Sequence, residues 1–395
     1  MVRRSILLVN AGLAMVGFLS ACSPTAEQSA EPTLGIALAE TSNVALVGQE
    51  QLSGVKIAET YFNQQGGING TALKLIYQDT GADEATAINA FQTLINTNRV
   101  IGIVGPTLSQ QAFSAAPLAE RAKVPVLAPS TIAPGIPQLG EFISRLGTDA
   151  SYTAPIAIKA ALQLNANLNR VAVLYAQDQE AQVSESKFFQ QAVLTEGLTL
   201  LPPQKFNSTD TDFQAQASQV INARPDLVVI SSLVADGANL VKQLRQLGYR
   251  GLIVGGNGLN TSNIFPVCQA LCDGILVAQA YSPANPIPIN QTFVSLYRQQ
   301  YQKQPPLLSA QGFAAVQVFV QALIAVDQKQ KITSLSLADL RQQLNQQLLA
   351  GQYETPLGPI SFTAEGDILQ KDFYVAQVKM QPNGERGEFK FLPIR

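Results

Sequence analysis

Residues Ile101 to Pro134, IGIVGPTLSQQAFSAAPLAERAKVPVLAPSTIAP, contain two consecutive strand-to-helix turns, and their reading decides the fold. Ile101 to Val104 is an apolar run of the kind that forms a buried strand, and Gly105-Pro106 ends it. Thr107, Leu108 and Ser109 then lead into a helical pattern from about Gln110 to Ala122. The pattern repeats: Val124 to Ala128 is a second short strand, and Pro129-Ser130-Thr131 opens onto Ala133-Pro134. In an open parallel sheet, ligands bind beyond the carboxyl ends of the strands, where helix-start amides and hydroxyls favour anions. Both turns place hydroxyl residues there, in a setting suited to a carboxylate-sized group.

Working outward, the same alternation continues. Thr33 to Leu38 reads as a strand, Gly48 to Asn63 as a helix closed by the glycines of Gln65-Gly66-Gly67, Leu73 to Gln78 as a strand, and Ala85 to Asn96 as a helix. Beyond the opening stretch, helices are expected over Tyr152–Leu164, Ser186–Gly197, Phe213–Ala223 and Leu240–Leu247. Strands are expected over Val171–Tyr175, Leu227–Ile230, Leu252–Val254 and Gly274–Ala278. Three more helical patterns follow, at Gln291–Gln302, Ala310–Val326 and Leu337–Leu349. Strand alternating with helix in this way gives right-handed βαβ units and an α/β fold with parallel-rich sheets.

Composition limits the function. The 395 residues are 46% hydrophobic and 14% charged, with a formal charge of -2 and a pI near 5.4, which suits a large folded core and argues against nucleic acid. The chain has no histidine. That removes the Ser-His and Cys-His dyads and the commonest metal ligand, so an enzyme is not expected. Gly255-Gly256-Asn257-Gly258 lacks the spacing of a dinucleotide fingerprint, and no cofactor is implied. Cys268 and Cys272, four residues apart, are expected to form a local disulfide in an oxidising compartment, since two thiols without histidine do not complete a metal site.

The amino terminus carries Arg3 and Arg4 and then an apolar stretch from Ile6 to Leu19, the order of a secretory signal over residues 1–21. Leu19-Ser20-Ala21-Cys22 resembles the lipobox of bacterial lipoproteins, which implies acylation of Cys22. Ser23 to Pro32 then serves as a tether. The expectation is a protein on the periplasmic side of the cell envelope, held to the membrane by its lipid alone.

The strings GGINGTALKLIYQDT and AAPLAERAKVPVLAPS, with the order of elements around them, resemble the substrate-binding proteins of ABC importers in the branched-chain amino acid group. The resemblance implies the type I periplasmic binding protein fold, two Rossmann-like lobes joined by three crossovers. Lobe 1 would comprise residues 33–147 and 281–356, and lobe 2 residues 148–280 and 357–395. It places the crossovers at Ser144–Asp149, Tyr281-Ser282-Pro283 and near Leu357-Gly358-Pro359. It also implies a monomer that closes on a small polar solute and delivers it to ABC permease membrane subunits. A receptor that reports ligand to a membrane partner without transport is the alternative.

Site residues carried over from the resemblance are mixed. Ser109 matches the family's serine, Ser130 lies where a backbone carbonyl is used, and the next hydroxyl position holds Ile132, with Thr131 beside it. In the second lobe a tyrosine position holds Glu180, another holds Leu233, and the acid that would face a ligand ammonium is replaced by Asn257. An ammonium buried without an anion is costly, so Glu180 is the expected replacement, with a solvated loop carboxylate as the plainer reading of the same residue.

Overall fold

Short apolar strands with no alternation are stable only in a sheet covered on both faces, and the first lobe is built that way. A computed structural model describes residues 32–384 and 386–393. The signal, Cys22 and nearly all of the tether therefore lie outside the described residues. β1 (Thr33–Leu38), β2 (Lys74–Asp79), β3 (Gly102–Val104), β4 (Val126–Ala128) and β5 (Ile143–Arg145) pair in parallel in the order β2-β1-β3-β4-β5. Three helices connect them: α1 (Ala45–Gln64), α2 (Glu84–Gln92) and α3 (Ser109–Arg121).

After residues 146–149 the chain enters the second lobe. There α4 (Ala150–Leu164), α5 (Glu180–Thr195), α6 (Gln214–Asn222), α7 (Val234–Gln246) and the short α8 (Phe265–Cys268) flank the sheet. β6 (Arg170–Ala176), β9 (Leu227–Ser231), β10 (Leu252–Gly255) and β11 (Leu276–Gln279) are parallel neighbours, and β7 (Thr199–Leu200) and β8 (Gln204–Phe206) both pair with β6. The chain then runs through Tyr281-Ser282-Pro283 to α9 (Pro288–Tyr301), α10 (Leu307–Lys329) and α11 (Leu337–Ala350) on the first lobe. α10 is apolar and long enough to cross a membrane, but 89% of its apolar window is buried, and Phe313 and Phe319 sit in the core beside Leu34 and Ile36 of β1.

The third crossover falls later than expected. β12 (Tyr353–Thr355), β13 (Gly358–Phe362) and β14 (Ile368–Gln370) form an antiparallel sheet whose Leu357, Ile360, Phe362 and Ile368 pack into the first lobe's core. The passage therefore lies between Gln370 and Tyr374 rather than near Leu357-Gly358-Pro359. β15 (Tyr374–Met380) then joins β11 antiparallel and β16 (Gly387–Leu392) closes that edge. The sheet β12–β14 is pinned by Arg145, which is 2% exposed and forks onto both oxygens of Asp367 at 2.7 and 2.9 Å. The same guanidinium donates to the carbonyl of Ala133 at 2.7 Å, which ties this half-buried ion pair to the turn after β4.

Cys268 and Cys272 face one another with Cα atoms 5.3 Å apart, a separation suited to a disulfide.

Candidate functional site

The two turns quoted at the outset lie side by side at the carboxyl ends of β3 and β4, and their hydroxyls knit the first lobe's wall together. Thr107 Oγ1 accepts the amide of Ala39 at 3.0 Å and donates to Gln51 Oε1 at 2.8 Å. Gln51 Nε2 donates in turn to Ser130 Oγ at 2.6 Å, and Ser130 donates to the carbonyl of Thr107 at 2.9 Å. Ser130 therefore braces one turn against the other. Ser109 opens α3, and its Oγ accepts the amides of Ile132 and Ala133, each at 3.3 Å. A hydroxyl that accepts twice still has its own hydrogen to give, so Ser109 can donate to an anion at a helix start.

Ser109, Ser130 and Ile132 line one cavity of about 40 Å³ together with Leu233 and Asn257 from the second lobe. Five of the seven residues carried over from the resemblance thus meet across a single cleft. Thr131 is buried beside it but is not part of the lining, and its hydroxyl has no partner among the described residues. The Asp79 carboxylate is occupied by the turn amides of Glu40 and Gly81 at 2.7 and 2.8 Å, a local bracing role.

Glu180 does not face the cleft. It is exposed at the first position of α5, where the helix's unpaired amides favour a carboxylate. The expectation went astray because α5 starts at Glu180, not near Ser186. The inward face of the full helix is Gln182, Glu185, Ser186 and Phe189, at helical spacing. Glu185, 3% exposed, is the acid on that inward face. Its Oε1 accepts the amide of Asn257 at 2.7 Å, and its Oε2 accepts the hydroxyl of Ser231. Burial pushes its carboxyl up to about 7, against the lowering effect of those two donors. The Ser231 hydroxyl also lies 3.0 Å from the carbonyl of Gln182, so its single hydrogen is shared between Glu185 and the backbone of α5.

Glu185 lines a second cavity, of about 20 Å³, with Thr148, Thr153, Phe189, Gly256 and Gln311; Ile132 and Asn257 are common to both cavities. The lobes meet around these spaces. Gln110 Nε2 donates to Gln179 Oε1 at 2.8 Å, and Leu108 packs with Leu233 in an apolar cluster that also holds Ala39 and Val44. Glu50 of α1 accepts the hydroxyl of Thr261 and Asn263 Nδ2, the latter at 2.8 Å, from the opposite lobe.

Comparison with known proteins agrees with this architecture. A family model described as periplasmic binding protein matches residues 31–386. A leucine-, isoleucine-, valine-, threonine- and alanine-binding protein of Pseudomonas aeruginosa is 26% identical over 92% of this chain and 93% of its own. Among solved structures, a leucine-binding protein from Thermotoga maritima superposes with a TM-score of 0.80 at 26% identity, covering 91% of this chain and 97% of that one. A solute-binding protein of an ABC transporter from Rhodopseudomonas palustris, in complex with 3,4-dihydroxybenzoic acid, gives 0.77 at 22% identity, over 91% and 96%.

Proposed function

The chain belongs to the periplasmic binding protein family, and from that premise we propose that it captures a small carboxylate-bearing solute, an amino acid or a related amide or carboxylate, and delivers it to the membrane subunits of an ABC permease. The observation that carries this reading is the cleft in which Ser109, Ser130 and Ile132 of one lobe face Leu233 and Asn257 of the other. The compounds named for the relatives above, amino acids and a dihydroxybenzoic acid, share a carboxylate, and the turn after β3 offers a hydroxyl donor at a helix start. Binding in a cleft between two lobes joined by crossovers allows the two states, open and closed, that capture and release require. The protein acts by closure as a monomer and turns nothing over.

Ligand that binds the folded protein alone raises its melting temperature, so a thermal-shift screen of amino acids, amides and small carboxylates tests the reading. A Ser109→Ala variant is expected to lose most of the shift, with affinity reduced by about 10-fold for one charge-assisted hydrogen bond. An undiminished shift would remove Ser109 from the site.

We place the protein on the periplasmic side of the envelope, anchored through Cys22, with Cys268 and Cys272 oxidised. Both assignments are read in one preparation. Labelled palmitate is expected in the wild type and absent from Cys22→Ala, and a thiol-alkylating reagent should leave Cys268 and Cys272 unmodified until reduction. Label retained in the variant, or alkylation before reduction, contradicts the corresponding assignment.

A further inference from the structure

We propose that a groove outside the solute cleft, between the second crossover and α9, is a second binding site, for a phosphate ester, with Arg298 as its cation. The groove encloses about 390 Å³, far more than the 40 and 20 Å³ of the two cleft cavities, and shares no lining residue with either. A space of that size is in the range of small-molecule sites. The assignment therefore stands independently of the reading given to the cleft.

One wall is a row of donors at helical spacing. Gln291, Ser295 and Arg298 stand at i, i+4 and i+7 of α9 and so share one face over roughly 10 Å of helix. Ser295 lies in the middle, with a long side chain about one turn to either side. None of the three side chains has a hydrogen-bond partner, and Arg298 forms no ion pair, among the described residues. The sequence explains why this guanidinium is uncompensated: between Asp273 and Asp327 there is no acid, and Arg298 and Lys303 are the only charges. Asp372 approaches the amide of Asn285, since a Cβ on Gly358 would fall 3.0 Å from Asp372 Oδ2 and 3.7 Å from Asn285 Nδ2, but it does not line the groove.

The other wall is preformed. Pro283, Ala284 and Asn285 face the helix from the crossover. Asn290 of the same helix, fully buried, holds that turn, its Nδ2 2.8 Å from the carbonyl of Asn285 and 3.3 Å from that of Ser282. Asn285, 6% exposed, is fixed in turn by accepting the amide of Ile287 at 3.2 Å. A wall already held in place loses little freedom when a ligand arrives.

The donors select the occupant. A guanidinium fork takes up both oxygens of a carboxylate, whereas a phosphate ester has a further oxygen to offer Ser295 and Gln291. Pro283, Ala284 and Val294 supply an apolar side for the organic remainder. A free ester and a phospholipid headgroup present the same chemistry.

Calorimetry on the purified protein at low ionic strength compares glycerol 3-phosphate, glycerate and the soluble lipid dihexanoyl phosphatidylglycerol. Glycerol 3-phosphate is expected to bind about 10-fold more tightly than glycerate. Arg298→Gln should weaken it by about 10-fold or more, for loss of the charged fork, and Ser295→Ala by a few-fold. Lys303→Gln, the same change of charge outside the groove, should bind as wild type does. Binding of glycerol 3-phosphate without the lipid upholds the site with a free ester as its source, and tighter binding of the lipid upholds it with a headgroup. Binding of neither overturns the site, as do equal affinity for glycerate, equal losses in Arg298→Gln and Lys303→Gln, or undiminished binding in Arg298→Gln. Loss in Ser109→Ala with retention in Arg298→Gln would place the ester in the cleft and overturn the groove while leaving the cleft standing.

Discussion

Gly54→Ala is expected to destabilise the protein by about 3 kcal/mol or more, the upper range for overpacking a core, and to lower its melting temperature by at least 6 °C or so. α1 and α10 approach so closely that a Cβ built on Gly54 lies 1.8 Å from the carbonyl oxygen of Ser309 and 2.8 Å from the amide nitrogen of Phe313. Both obstacles are backbone, so no side chain can rotate away and the helices must separate. The contact is reciprocal: a Cβ on Gly312 would meet the carbonyl oxygen of Gln51 at 2.1 Å. Separation would stretch the buried bonds that cross this seam, Ser309 Oγ to the carbonyl of Glu50 at 2.7 Å and the Ser53–Ser309 hydroxyl pair at 2.7 Å. It would also disturb the site, because Gln51 on the same helix holds Ser130 and Thr107. The double variant with Gly312→Ala should cost less than the sum of the two, since either one alone forces the same movement. A Gly54→Ala protein melting within 2 °C of wild type would show that the seam yields more cheaply than its geometry allows.

That seam was invisible to a reading of the chain by pattern, and the reason is general. Periodicity locates elements because it is local. Thr33–Leu38 appears in the structure with the bounds expected, and the helices expected at Tyr152–Leu164 and Leu337–Leu349 are present within two residues at either end. The first lobe's share of the candidate site was legible for the same cause: hydroxyls just past a strand end mark a turn at the sheet's carboxyl edge within a few residues of sequence, and Ser109 and Ser130 line the cleft. The second lobe's share depends on which face of a helix turns inward, and starting α5 six residues late hid the face bearing Gln182 and Glu185. Thr148 and Gln311 reach the same chamber as Glu185 from remote segments, a coincidence that no local pattern encodes. The late third crossover has a similar origin. Leu357, Ile360 and Phe362 are apolar enough to suit either lobe, and tertiary packing alone assigns them to the first.

Stability is expected to fall as pH rises from 5.5 to 8.5, opposite to the direction in which paired carboxylates usually act. Three buried acids, Glu50, Glu185 and Asp236, are 5%, 3% and 2% exposed, and burial pushes each of their carboxyls up to about 7. In the unfolded chain such groups titrate near 4, so between about 4 and 7 the folded protein holds protons that the unfolded chain releases. Their contribution is complete below pH 4 and is lost as pH climbs through 7, by up to about 3 kcal/mol for each fully buried group. Asp327, held low by Lys331, is shifted the other way and loses its contribution only under acid conditions, below this window. Glu50 matters most for function because its partners, Thr261 and Asn263, belong to the other lobe and its Oε2 has no partner among the described residues. Ionised above neutral pH, it presses for hydration that opening of the lobes supplies. Glu50→Gln keeps an acceptor for Thr261 and removes the titration, so its melting temperature should vary less over this range and exceed that of wild type at pH 8.5, where the native carboxylate is charged. Melting curves for both proteins at pH 5.5, 7 and 8.5 and constant ionic strength decide the matter: a wild-type curve that rises with pH, or a Glu50→Gln curve parallel to it, would mean that the closed cleft accommodates the ionised carboxylate without penalty.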